Sequence, residues 1–240
     1  MSAPEPSARS HIWTMAVTHQ AFRREFELAP RIVRDIAPDE PERHDRAADW
    51  FATMLGFMHH HHENEDLLMY PLLAGRAEQP LLDRMEVQHR ELASVVDRAQ
   101  ERLSAWRLDD PASAEALAAA FDDMLPILIE HVDAEEAQVM PLVGEYLTAA
   151  EYGRQGTRGN GADPRALMMT FGSVVEQASE REGEIMLAYP PEPVRRAWHE
   201  WGADEYRTMV RLLRGGLEPT SRHAAPVGQA LADQADSTPP

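Results

Sequence analysis

The stretch His61-His62-Glu63-Asn64-Glu65-Asp66-Leu67-Leu68-Met69-Tyr70-Pro71-Leu72 recurs in outline 70 residues further along the chain. The second copy reads His131-Val132-Asp133-Ala134-Glu135-Glu136-Ala137-Gln138-Val139-Met140-Pro141-Leu142. Both copies contain His-x3-Glu, a second acidic residue directly after the glutamate, and Pro-Leu beginning ten residues after the histidine. The sequence therefore predicts an internally repeated helical unit that carries metal-ligating residue types.

A lone histidine occupies the same register in each half of the repeat. His19 and His89 are also 70 residues apart, and each precedes its His-x3-Glu pair by 42 residues. Residues i and i+4 lie on one face of a helix, with Cβ atoms about 5–6 Å apart, so each pair can chelate jointly. Two helical hairpins related by a pseudo-twofold axis would bring all these ligands together at the bundle centre. The predicted metal ligands are His19, His61, Glu65, His89, His131 and Glu135.

These positions are predicted to face the protein interior, because apolar residues surround them at helical spacing. A buried carboxylate without a partner is costly, so Glu65 and Glu135 need either a cation or a proton. Two carboxylates and four imidazoles suit two metal ions better than one. His62 is an additional candidate ligand beside His61, but only His61 keeps the spacing to proline found in the second copy. A core histidine or a surface His/Glu pair is the ordinary alternative for any one position, and the joint register of six positions favours metal binding.

The chain as a whole is predicted to be all-α, because apolar residues recur at helical spacing and β-branched alternation is scarce. Long helices are predicted at about 10–29, 42–74, 80–106 and 113–147, with Pro30 marking a boundary or kink. Four long helices with short connections predict an up-down-up-down four-helix bundle with a C-terminal helical appendage. The predicted organisation is a flexible N-terminus at 1–9, the bundle at 10–150, a Gly-rich linker at 151–162, the appendage at 163–216 and a disordered tail at 217–240.

In the appendage, two helical stretches are expected on either side of Pro190, Pro191 and Pro193. The aromatic and methionine side chains after these prolines have helical spacing and are expected to pack against the bundle. A lid or dimer face over the metal site is the alternative. The residues concerned are Trp198, Trp201, Tyr206 and Met209.

Composition excludes several classes of function. The 41 acidic and 23 basic residues give a net charge of -18, which disfavours nucleic acid and anionic lipid as partners. Without cysteine, a metal must be bound through nitrogen and oxygen. The first thirty residues show no basic segment followed by an apolar one, and no apolar run approaches the roughly 20 residues of a membrane span. The expected location is cytoplasmic, with no membrane partner.

The motif resembles that of the hemerythrin family, particularly the bacterial hemerythrin-like domains named for their His-His-Glu cation-binding motif. The resemblance covers residues 10–150 and is carried by His61-His62-x2-Glu65-Asp66-x3-Tyr70-Pro71, His131-x3-Glu135 and the single histidines. It implies a four-helix bundle with two non-haem iron ions joined by an oxo or hydroxo bridge. Glu65 and Glu135 would bridge the irons, and the histidines would be terminal ligands. Family members bind dioxygen, sense oxygen or iron, or handle peroxide and nitric oxide.

Two positions depart from the oxygen-carrying members of that family. Ala93 stands where they have a second histidine on the third helix, and the last helix offers His-x3-Glu instead of His-x4-Asp. Two octahedral irons have about twelve coordination positions, of which four histidines, two bridging carboxylates and a bridging oxygen leave about two open. If His62 also ligates, one of these positions closes. An open centre favours redox reaction over reversible oxygen storage.

The leading hypothesis is a di-iron protein that binds or reduces dioxygen, peroxide or nitric oxide. If the chain is an enzyme, it is expected to be a di-iron oxidoreductase of the oxidase, oxygenase or peroxidase type, with an organic substrate as a further partner. An oxygen, iron or redox sensor is the third hypothesis. A ferritin-like oxidase ranks lower because Glu86-x2-His89 has no partner in the other half, where Ala16 occupies the equivalent position. Zinc hydrolysis ranks lowest because catalytic zinc normally uses three protein ligands.

Overall fold

The structure is a computed structural model that describes Ala8, residues 11–154 and residues 163–219. Its regular elements are all helical, with no strand among the described residues, so the predicted all-α class is confirmed. None of the described helices combines the length and apolar character that a bilayer crossing requires. The helices are α1 (Trp13–Asp35), α2 (Pro41–Asn64), α3 (Tyr70–Leu73), α4 (Gln79–Ala105), α5 (Pro111–Gln138), α6 (Met140–Tyr146), α7 (Ala149–Gly153), α8 (Pro164–Val175), α9 (Glu180–Ala188), α10 (Glu192–Ala197) and α11 (Ala203–Arg214).

Each of the four long helices packs against two others. Helix α1 contacts α2 and α5, and α4 contacts the same two helices. Helix α1 continues through Pro30 to Asp35, so the predicted boundary at this proline was wrong. A proline inside a helix removes one backbone hydrogen bond. Burial of Ile32 and Val33 beyond it offsets that loss.

The repeated Pro-Leu sequence interrupts both helices that carry the His-x3-Glu pairs. A π-helical turn at Glu65–Met69 joins α2 to α3, and the Tyr70 N–H donates to the Glu65 carbonyl. In the other half, α5 ends at Gln138 and α6 begins at Met140. Pro71 and Pro141 each lack the N–H that a continuous α-helix needs. Regular α-helical geometry is therefore lost just before each proline.

Two apolar clusters fill the space between the long helices. The larger one includes Phe22, Met58, Leu92 and Leu128, and continues towards the connections at 36–40 and 106–110. The smaller one lies towards the opposite end and contains the following buried residues: Ala8, Ile12, Met15, Met69, Tyr70, Leu73, Leu82, Met85, Val139, Met140, Val143, Leu147 and Tyr152. On every long helix the predicted ligands fall between residues of the two clusters. They form a polar layer between two apolar ones.

The appendage packs against the first two long helices. Both α8 and α11 contact α1 and α2. Trp198, Tyr206 and Met209 are buried in the larger cluster as expected, whereas Trp201 is 37% exposed and lies outside it. The first predicted helical stretch is two helices, α8 and α9, separated at Glu176–Ser179, where Ser179 and Glu182 form a capping box.

The predicted linker at 151–162 is helical at its start. Thr148 and Glu151 form a capping box that begins α7, which extends to Gly153. Residues 155–162 of the linker lie outside the described residues. So do most of the predicted flexible N-terminus at 1–9 and of the predicted tail at 217–240.

Candidate metal centre

The first of two ligand groups combines side chains from three long helices and the π turn. His19, His61, Glu65 and Glu135 offer atoms that all lie within 4.8 Å of one another. The Nε2 atoms of His19 and His61 are 3.0 Å apart, His61 Nε2 is 3.0 Å from Glu65 Oε1, and His19 Nε2 is 3.4 Å from Glu135 Oε2. Adjacent ligand atoms of an octahedral ion with bonds near 2.1 Å are about 3 Å apart. The spacing therefore fits one metal ion.

The second group shares Glu65 with the first. His62, Glu65, His89 and His131 again offer atoms within 4.8 Å of one another. The Nε2 atoms of His89 and His131 are 3.2 Å apart, and His89 Nε2 is 3.5 Å from Glu65 Oε2. Glu65 thus presents one oxygen to each group, as a carboxylate that bridges two metal ions does. The structure brings all six predicted residues together and adds His62.

The neighbouring histidines of the 59–62 run have different environments. His61 and His62 point into different ligand groups, although they are consecutive on α2. His59 is exposed, and the side chain of His60 is 44% exposed. Neither belongs to a ligand group among the described residues. The spacing to Pro71 correctly selected His61, but it gave no means of deciding on His62.

The two halves of the centre obey the predicted pseudo-twofold relation. The His19–His61 and His89–His131 separations correspond under the shift of 70 residues, as do the His19–Glu135 and His89–Glu65 separations. The acidic residue after each ligating glutamate follows the same rule. Asp66 Oδ1 accepts a hydrogen bond from Nδ1 of His89 at 2.8 Å, and Glu136 Oε1 accepts one from Nδ1 of His19 at 3.0 Å.

Sequence reasoning missed the role of these outer carboxylates, although the repeat contains the signal. Each half supplies a carboxylate to the lone histidine of the other half. An acceptor at Nδ1 places the proton on that nitrogen and leaves the Nε2 lone pair for a metal. Arg23 in turn donates to Glu136 Oε1 at 2.8 Å and holds its charge.

Two substitutions between the halves break the symmetry. Val132 is the repeat counterpart of His62, so only the second group has three histidines. Met140 is the counterpart of Tyr70, whose hydroxyl donates to Glu135 Oε1 at 2.9 Å. The Tyr70 ring also stacks on His89, with ring centroids 5.5 Å apart. The two ligand groups are therefore chemically distinct.

The electrostatics of the centre call for cations. Desolvation raises the pKa of Glu65 to about 8 and that of Glu135 to about 8, in the latter case with a contribution from the Glu65 charge. Burial lowers the pKa of His61 to about 4 and that of His131 to about 2, and places those of His19 and His62 well below the ordinary value. Burial would also lower the pKa of His89, but Asp66 and Glu65 outweigh it and raise that pKa.

Several buried ligand atoms have no hydrogen-bond partner among the described residues. They are His62 Nε2, both carboxylate oxygens of Glu65, and Glu135 Oε2. Buried polar atoms are normally satisfied, and a set of unsatisfied ones converging on one place needs an explanation. Neutral imidazoles and carboxylates are the donor types that bind iron, zinc and related ions. The residues present therefore fit a pair of metal ions.

The fold and the site together define an all-helical protein with a candidate metal centre of histidines and glutamates. The model of the Hemerythrin HHE cation binding domain family matches residues 10–143, more than half of the chain. The chain therefore belongs to the hemerythrin HHE cation-binding family. No curated protein and no solved structure matches it.

Proposed function

We propose that this chain is a non-haem di-iron protein that binds or reduces a small ligand, namely dioxygen, peroxide or nitric oxide. The observation that carries the proposal is the pair of His/Glu groups that share Glu65. The proposal includes an up-down-up-down four-helix bundle, with Glu65 and Glu135 bridging the irons and five histidines as terminal ligands. Two adjacent irons would supply Lewis acidity and one-electron redox chemistry when bound.

The inclusion of His62 changes the ligand count. Two octahedral irons offer about twelve positions, and five imidazoles with four carboxylate oxygens leave about three for non-protein ligands. Four histidines would leave about four. The argument for redox reaction over reversible binding, which depended on a more open centre, is correspondingly weaker. Because the His19–His61 group has one histidine fewer, the proposal assigns ligand binding to that side.

The surroundings of His61 favour a small uncharged ligand. The Phe22 ring lies 5.3 Å from the His61 ring and 5.0 Å from the Phe57 ring, measured between centroids. The His61 side chain is 12% exposed, whereas those of His19 and Glu65 are fully buried. A ligand would therefore approach past His61 through an apolar setting, which costs a neutral diatomic molecule less desolvation than it costs a charged one.

The hydrogen bonds around the centre would hold the ligands in their binding form. Asp66 and Glu136 orient His89 and His19 with Nε2 directed inward. The Tyr70 hydroxyl fixes one oxygen of Glu135. Such outer partners raise the basicity of ligating imidazoles and restrict their motion. The proposal thus gives Tyr70, Asp66 and Glu136 positioning roles.

Elemental analysis of the full chain, purified from iron-supplied cells, tests the proposal. We expect about two irons per chain, as in other paired-metal helical bundles, and loss of iron in His61→Ala and in His131→Ala. His59→Ala is the matched control, because it removes an exposed histidine of the same run. Iron content that stays the same in the two ligand variants would refute the centre. Absorption changes on adding dioxygen, peroxide or nitric oxide to the loaded protein would then identify the ligand.

A sensor is the second candidate function, favoured by two consecutive arginines of α1. Arg23 contacts Glu136 beside His19, while Arg24 pairs with Glu176 of the appendage at 2.9 Å. A change at the metal could therefore alter how firmly the appendage is held. Limited proteolysis with and without iron tests this function, and equal protection of residues 163–216 in the two states would contradict it.

An oxygenase acting on an organic substrate is less well supported. That function needs a pocket extending from the metal centre to the appendage. The cavity beside Trp198 has none of the seven candidate ligands in its lining.

A further inference from the structure

A cavity of about 380 Å³ lies inside the appendage, between the end of α8 and one face of α11. Val175, Trp198, Ala203 and Val210 supply apolar walls, together with the ring of Tyr206. The α11 residues follow the i, i+3, i+4, i+7 pattern of a single helix face. Arg207 and Arg211, both exposed, stand one helical turn apart at the rim.

The charges at the rim cancel except for that of Arg211. Glu176 also lines the cavity, but its carboxylate pairs with Arg24 at 2.9 Å and with Arg214 at 2.8 Å, and accepts a hydrogen bond from Tyr206. The second carboxylate of this network is Glu25, which pairs with the same two arginines and balances their charge.

The remaining rim cation, Arg207, pairs with Asp204. Arg211 donates through Nε to the backbone carbonyl of Arg207 at 3.3 Å. Its terminal nitrogens form no hydrogen bond or ion pair with any described residue. One guanidinium is thus available at the mouth of an apolar cavity.

This combination selects for the chemistry of a ligand. Arginine presents parallel N–H donors that match both oxygens of a carboxylate. The volume falls within the range of small-molecule sites, and at interior packing density it holds on the order of a dozen non-hydrogen atoms. The protein as a whole is strongly acidic, so a local cationic group is the feature that would admit an anion.

We propose that the appendage cavity binds a monocarboxylate with an apolar body, whose carboxylate pairs with Arg211 beside Arg207 while the body lies against Trp198, Tyr206 and Val210. This site is separate from the metal centre and does not depend on the proposed iron chemistry. A monocarboxylate fits better than a dianion, because only one rim charge is unbalanced. A neutral molecule of the same shape would leave Arg211 unused.

Calorimetric titration of the full chain tests the proposal, with octanoate as the aliphatic probe, 3-phenylpropanoate as the aromatic probe and octanol as the neutral one. We expect saturable binding of at least one acid, tighter than octanol and weakened by added salt. Arg211→Gln should lower the affinity for the acid roughly tenfold, the scale of one charge-assisted hydrogen bond near the surface. The affinity for octanol should stay the same. Whichever acid binds more tightly identifies the class of apolar body.

Arg196→Gln is the matched control, because it removes the same charge from an exposed position of α10 outside the cavity. It should leave acid binding unchanged. Ala203→Leu fills the cavity and should weaken acid and alcohol alike, with the thermal midpoint checked for folding. The proposal is overturned if neither acid binds, if octanol binds as tightly as octanoate, or if Arg211→Gln and Arg196→Gln have equal effects. Titrations on iron-loaded and metal-free protein separate this result from the fate of the metal centre.

Discussion

Glu65 is fully buried, and in the metal-free chain neither of its carboxylate oxygens has a hydrogen-bond partner among the described residues. Desolvation raises its pKa from 4.5 to about 8. A group whose folded-state pKa is raised keeps its full contribution to stability below the unfolded pKa and loses it as the pH rises through the folded value. The metal-free protein should therefore lose stability between about pH 4.5 and pH 8 on account of Glu65.

Glu65→Gln should remove this loss. In metal-free protein at pH 8, we expect the variant to be more stable than the natural chain by on the order of 1–3 kcal/mol, with a much smaller difference at pH 5. The buried histidines titrate equally in both proteins, so their opposite dependence on pH cancels in the comparison. Urea unfolding at the two pH values measures the difference.

The control for this variant is Glu91→Gln, which changes an exposed carboxylate on α4. It should leave the stability within about 0.5 kcal/mol at either pH. Equal effects of Glu65→Gln at pH 5 and pH 8 would contradict the account. The variant should also bind less iron, because an amide cannot serve as an anionic bridge between two cations. Stability and metal binding would then be shown to oppose each other at one residue.

At the scale of residues, the sequence predicted the ligand set well but not its surroundings. The repeat register identified the six ligands because periodicity fixes which residues share a helix face. It does not fix which atom lies opposite on another helix. The pairing of Asp66 with His89, and that of Glu136 with His19, therefore emerged only from the structure. The same limit applied to His62, whose direction depends on how α2 is rotated against α4 and α5.

At the scale of elements, the seam between α8 and α11 depends on a glycine. A Cβ atom added at Gly172 would lie 2.4 Å from Cγ of Tyr206, which is below any real contact distance. The Tyr206 ring cannot move freely, because its hydroxyl contacts Glu176 and Arg24. Gly172→Ala should therefore destabilise the protein by about 1–3 kcal/mol, the usual cost of overpacking. Thermal or urea unfolding measures it.

Gly183 supplies the control for that substitution. It is also helical, in α9, but a Cβ added there would meet no atom within 4 Å. Gly183→Ala should be neutral or stabilising by up to about 1 kcal/mol, because alanine has the higher helix propensity. A Gly172→Ala variant as stable as Gly183→Ala would show that the two helices are not packed as closely as the structure places them.

Element boundaries show where local signals lose to packing. Periodicity predicted all four long helices, yet it ended α1 at Pro30, since the burial of Ile32 and Val33 is a tertiary effect. The π turn at Glu65–Met69 was not predicted either. The two repeat copies have the same spacing to proline, but one forms a π turn and the other a break at Val139. Nothing in the repeat itself distinguishes these two outcomes.

At the scale of the whole molecule, a buried ionic network joins the appendage to the long helices. Glu25 Oε1 accepts from Arg24 at 2.6 Å and from Arg214 at 3.0 Å, and Glu25 Oε2 accepts from the Trp50 indole at 3.0 Å. The sequence gave no sign of this network, because its members are far apart in the chain and follow no repeat. Charged residues on a helix are ordinarily surface residues, and only the docking of α8 and α11 buries these.

Glu25→Gln should weaken this junction severely. The amide presents N–H donors where the carboxylate accepts, and it leaves Arg24 and Arg214 with Glu176 as their shared counter-charge. Breaking a buried ion pair by changing one partner costs about 3–5 kcal/mol, whereas an exposed pair contributes about 0–1 kcal/mol. Glu115→Gln is the matched control, because Glu115 pairs with Arg34 at the surface, where its side chain is 62% exposed. Urea unfolding should show a large loss for Glu25→Gln alone, and limited proteolysis should cut the appendage first. Equal stability of the two variants would mean that apolar packing around Trp198 and Met209, and not the ionic network, holds the appendage in place.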